Sequence, residues 1–157
     1  MLGFVRERAI ATSTGPLTPD PSWDADIDAY ARHNPADGAL LNAGRARHPV
    51  FHEGGWVLRL QPRAGAMTLD TDVFVRAGSW QESIYVHELV HVHQYAGGQL
   101  AFLTSYFGRA AGTLLTRLVT RKPLDPMTAA PQEAEAYGVE HRFVAWQDQG
   151  RGSGDGG

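Results

Sequence analysis

Residues 85–95 read Tyr-Val-His-Glu-Leu-Val-His-Val-His-Gln-Tyr, and every larger inference about the chain starts from them. His87 and His91 are four residues apart, so on a helix their imidazoles stack one turn above another and face the same way. Two imidazoles so placed can share one divalent cation at about 2.0–2.1 Å. Glu88 is offset from the first histidine, far enough to miss the cation and near enough to reach a water bound to it. That water's pKa falls toward about 7, and a carboxylate beside it can take its proton. With seven histidines and seven glutamates in 157 residues, this spacing arises by chance in only about one or two chains per hundred.

Working outward, the segment requires a helix, and its neighbours supply one. Ile84, Glu88, His91 and Tyr95 share a side of a helix expected over 80–96, which Gly97-Gly98 would stop. Upstream the period changes to two. Trp56–Leu60 reads as one strand, Arg63-Ala64-Gly65 as a turn, and Met67–Val75 as a second strand. In the second run Met67, Leu69, Thr71, Val73 and Val75 alternate with Thr68, Asp70, Asp72 and Phe74, the pattern of a half-buried strand. Downstream a second helix is expected at 99–120, ended by Pro123 and Pro126. A third opens at Pro131, with Ala136, Val139, Phe143 and Trp146 on one stripe. The expected class is α+β: a short antiparallel sheet or hairpin, then the active-site helix, then two further helices. Residues 1–53 read as an irregular lead-in with a short helix near 24–33, broken by Asn34-Pro35 and Asp37-Gly38. Residues 54–148 form the domain, and 149–157 a disordered tail.

Composition narrows the function classes. The net charge of −3 offers no basic field for nucleic acid. The absence of cysteine excludes a disulfide scaffold, a thiolate nucleophile and cysteine-ligated metal. No apolar run of signal-peptide length opens the chain, as expected for a cytoplasmic protein or one exported by a non-classical route. The apolar stretch 92–119 is interrupted by Arg109 and Arg117, which argues against a membrane span.

Two histidines leave a cation under-coordinated, so a third protein ligand is needed. The extended form of the motif would need Gly at 94 and His at 97; Gln94 and Gly97 stand there instead. His93 points away from His91 around the helix. The third helix offers Glu133 and Glu135, one on each side of its apolar stripe, and the spacing alone does not choose between them. Histidine and carboxylate ligands suit one Zn²⁺ per chain, although other divalent ions occupy such sites.

The stretch from Ser83 to Tyr137 resembles zincin-like domains of the gluzincin type, in which His-Glu-x-x-His is completed by a downstream helical glutamate. It is most similar to the small DUF4157-type metallopeptidase domains, through His87, Glu88, Leu89, His91, Val92, Gln94, Tyr95, Pro131, Glu133, Glu135, Ala136 and Tyr137. The resemblance spans roughly residues 54–147. It implies a metal held by His87, His91 and Glu133, with Glu88 activating a metal-bound water for attack on a peptide carbonyl. It also implies that an edge strand, here 67–75, pairs with extended substrate. Thermolysin-like members place an Asp four residues beyond the ligand glutamate to orient a histidine; this chain has Tyr137 there, and Glu140 is the substitute within reach. Tyr137 and His141, with Tyr106 and Arg142 behind them, are candidates for stabilising the oxyanion. His33, His48 and His52 are expected on the surface or in loops. The function expected is a zinc-dependent peptidase acting on a peptide or protein. The alternative is a non-catalytic zinc-binding module that serves structure or binds a partner, against which the presence of Glu88 speaks.

Overall fold

The computed structural model describes residues 2–97 and 131–152. In chain order these form α1 (Leu2–Ala11), β1 (Ser13–Leu17), α2 (Pro21–His33), α3 (Pro35–Arg45), β2 (Val50–Gly54), a 3-10 turn (Trp56–Arg59), β3 (Ala66–Leu69), β4 (Asp72–Val75), α4 (Glu82–Ala96) and α5 (Pro131–Gly152). The class is α+β as expected. The four strands make one sheet in the order β1-β2-β4-β3. It is mixed rather than purely antiparallel, because β2 runs parallel to β4. The helix expected at 99–120 lies outside the described residues. Among the described residues no helix is long and apolar enough to cross a membrane.

Three sequence expectations are corrected. Trp56–Leu60 is not a strand. The segment winds into a 3-10 turn, which packs the adjacent residues Val57 and Leu58 together against Ala9, Met67 and Phe74. Gly55, at φ 109°, makes the break from β2. The run 67–75 is two strands, not one. Asp70 takes a left-handed conformation, φ 62°, and with Thr71 closes a hairpin in which Leu69 pairs with Asp72. Both faces of both strands are buried.

The third correction concerns residues 1–53, which are no irregular lead-in. They supply three helices and two strands of the same fold. The Pro16 of β1 is tolerated because β1 lies at the sheet edge. Asn34-Pro35, read as a breaker, is a cap: the Asn34 side chain accepts from the Asp37 amide, and Pro35 opens α3. Gly38 is helical, and it must be small, since a Cβ there would sit 2.4 Å from that of Ala31. At the other end of the chain α5 runs on to Gly152, past the expected start of the tail at 149.

The core lies between the sheet and the helices. Ile27, Tyr30, Leu41, Phe51, Val73, Val75, Val86, Leu89 and Val90 meet Ala136, Val139 and Phe143 of the expected α5 stripe. Helix α4 crosses the middle, with Tyr85–Val92 buried without interruption. Gly44 brings α3 against it so closely that an added Cβ would stand 2.2 Å from the Leu89 carbonyl oxygen.

A polar clasp fixes α5 to α2 and α3. Asp37, 5% exposed, accepts from the Tyr30 hydroxyl at 2.6 Å and from Asn34 Nδ2 at 2.8 Å. Arg142 closes it with a bidentate pair, Nε and Nη2 each at 2.8 Å. Burial raises the Asp37 pKa, but the Arg142 and Tyr30 hydrogen bonds outweigh it and hold the carboxyl below its usual range. Burial, then Asp37, pushes the Tyr30 hydroxyl up to about 12.

Three substitutions test the packing and the clasp. Gly44→Ala should cost about 1–3 kcal/mol or more in chemical denaturation, because α3 and α4 must separate. Gly3→Ala, with open space around its site in α1, should be neutral or stabilising by up to about 1 kcal/mol. Arg142→Met should cost about 2 kcal/mol at neutral pH. Asp37 has a folded pKa below its unfolded one, so its contribution is present above about pH 4 and lost as pH falls through the folded value. Acid titrations of wild type and Arg142→Met should therefore converge at low pH.

Candidate metal centre

Helix α4 exposes no face to water where its motif lies: His87, Glu88 and His91 are 6%, 3% and 4% exposed. Each buried polar group therefore needs a partner. His87 Nδ1 donates to Glu140 Oε2 at 3.0 Å, since a carboxylate can only accept. His91 Nδ1 donates to Gln94 Oε1 at 2.8 Å. The Gln94 amide is oriented by its own donations from Nε2 to the Gln132 carbonyl at 3.1 Å and to Glu135 at 2.8 Å. With both Nδ1 atoms protonated, the two Nε2 atoms face each other at 3.1 Å, close enough to share a proton or to converge on one metal ion.

Glu133 completes the set. Its two carboxylate oxygens lie 3.7 Å from His87 Nε2 and 3.6 Å from His91 Nε2. Ligands at about 2.0–2.1 Å around a tetrahedral ion stand about 3.3 Å apart, and the three separations straddle that value. His87, His91 and Glu133 could thus hold a metal ion. Electrostatics favour a cation at the same point. Burial works against charge on His87, yet Glu133 and Glu140, with the Glu88 charge, outweigh it and raise its pKa to about 10. Burial is likewise overridden at Glu133, where the two histidines hold the carboxyl far below its ordinary value.

Of the two glutamates that spacing left open, Glu133 joins the histidines, while Glu135 is exposed and engaged by Gln94. Glu140 orients His87 from one turn beyond Tyr137. Glu88 stands outside the ligand group, and one of its oxygens accepts from the Thr68 hydroxyl at 2.6 Å. The Tyr137 ring lies 4.6 Å from that of His87, centroid to centroid. Burial first, then the Glu133, Glu140 and Glu88 charges, raises the pKa of its hydroxyl, which keeps its proton and can donate. His141 is exposed, its ring 6.1 Å from Tyr137. Arg142, considered beside them, is committed to Asp37. Tyr106 lies outside the described residues.

His93 takes no part in the ligand group. His33 and His48 are exposed as expected. His52 is not on the surface: it is buried on β2, 2.8 Å from Asp72 and stacked on Phe74, with Arg6 also on Asp72. The functional partners that sequence reading missed are Thr68 and Gln94. Alternation puts Thr68 on the face opposite Met67 and Leu69, and the signal for its role is a hydroxyl in an otherwise apolar strand. No family model, no curated protein and no solved structure matches this chain.

Metal titration by calorimetry checks the centre. His87→Ala, His91→Ala and Glu133→Ala should each abolish tight binding, whereas Glu135→Ala should keep stoichiometric uptake. Gln94→Ala and Glu140→Gln should weaken it about 10- to 100-fold by releasing the imidazoles.

Proposed function

We propose that this protein is a zinc-dependent peptidase, an amide hydrolase with one Zn²⁺ on His87, His91 and Glu133 and with Glu88 as general base. The observation that carries the reading is a division of labour among buried charges. Three ligand atoms converge on one point, while the buried carboxylate of Glu88 sits beside them without joining. A purely structural zinc site is closed by four protein ligands and has no use for a base. Three ligands leave a fourth position, where the ion would act as a Lewis acid and lower the pKa of water.

The chain's own residues supply the rest. Glu88 takes the proton of the attacking water and can return it to the leaving amine nitrogen. Tyr137, on the rim beside His87, is placed to donate to the developing oxyanion. Glu140 and Gln94 keep both imidazoles in the tautomer that presents Nε2. The resemblance of residues 83–137 to gluzincin-type domains supports the same assignment, with a peptide or protein as substrate. His141 is the weaker of the two oxyanion candidates, being exposed.

The test begins with metal content by plasma mass spectrometry on protein purified without nickel or chelator. Close to one zinc per chain is expected. Glu88→Gln should retain that zinc and lose cleavage of a peptide library by about 10²- to 10⁴-fold. Zinc without cleavage by any variant, wild type included, would return the protein to the reading of a non-catalytic zinc-binding module.

A further inference from the structure

Strand β3 carries a single polar side chain, Thr68, among Ala66, Met67 and Leu69. It pairs across the hairpin with Val73 and is 5% exposed. Valine would suit this backbone equally, since both residues are β-branched and favour strands. Burying the hydroxyl is unfavourable unless it is hydrogen-bonded, and its partner is Glu88 Oε2 at 2.6 Å, a short charge-assisted bond. Among the described residues the Thr68 hydroxyl bonds to Glu88 and to none of His87, His91 and Glu133.

We propose that Thr68 is a positioning residue for the general base, an inference that rests on the peptidase reading above. The hydroxyl pins Oε2 and so fixes the carboxylate's rotation, leaving Oε1 to accept the proton. As water attacks, its O–H bond breaks and the new O–C bond forms, with the proton on Oε1. That proton then passes to the amine nitrogen as the C–N bond breaks. Without the anchor the carboxylate swings, and a displacement of about 1 Å at a reacting group lowers the rate about 10²-fold. The strand that the hairpin places against α4 thereby joins the site through one side chain.

The zinc-loaded full chain tests this with a fluorogenic peptide library. Thr68→Val should keep one zinc per chain and lose about 10- to 100-fold in kcat with KM nearly unchanged. Thr68→Ser, which restores the hydroxyl, should recover most of the loss. Thr68→Ala removes the same hydroxyl should the valine variant fail to fold. A hydroxyl-free variant with wild-type kcat, or a serine variant as slow as valine, overturns the proposal. A wild-type chain that cleaves nothing removes the peptidase reading instead, and the anchor is then judged by carbon-13 NMR of glutamate-labelled protein. The Glu88 carboxyl signal, identified by its absence in Glu88→Gln, should move in Thr68→Val while those of the other six glutamates hold still. An unmoved signal shows that there is no anchor.

Discussion

Helix α4 carries three ionisable side chains through a part of the protein with no solvent face. A buried charge left alone costs several kcal/mol, so each of the three must be met by a partner brought from elsewhere. The architecture supplies them from different directions. Helix α5 contributes Glu133 and Glu140 to the histidines, and strand β3 contributes Thr68 to Glu88. Gln94 links the helix to α5 from its own last turn. The same apposition that satisfies the imidazoles gathers their Nε2 atoms and Glu133 into a group that could hold a metal ion.

Close packing makes the arrangement rigid. Gly44 lets α3 press on the α4 backbone at Leu89, in the middle of the motif, and that side of the helix cannot shift. On the other side α5 is held by the apolar stripe Ala136–Val139–Phe143 and by the Arg142–Asp37 pair. Arg142 lies on the helix that carries Glu133 and Glu140. A surface-reaching clasp between α5 and the N-terminal helices therefore sets the height at which two carboxylates meet the histidines. Residues 1–53 belong to the site's scaffold for this reason: α3 packs on α4, Tyr30 of α2 and Asp37 of α3 hold α5, and β2 forms the parallel neighbour that seats β4.

Where sequence reading failed, long-range pairing had overridden a local pattern. Alternation in 67–75 suggests one face in water, but β3 and β4 are buried on both faces and the run folds back at Asp70. Asn34-Pro35-Ala-Asp37-Gly38 reads as a break because its residues are turn formers, and Asn34 and Pro35 are also good helix starters. The strand β1, Ser-Thr-Gly-Pro-Leu, has almost no intrinsic strand character, and it exists because β2 lies beside it.

Much of the site was nonetheless local and therefore legible. The four-residue spacing of His87 and His91 is set by the helical repeat, and the offset of Glu88 follows from the same geometry. The α5 stripe likewise needs only a 3.6-residue period to be recognised. The choice between Glu133 and Glu135, the tautomers imposed by Glu140 and Gln94, and the hydrogen bond from Thr68 were decided by tertiary structure alone. Each depends on the angle and depth at which separate elements meet, and no spacing within one element encodes that.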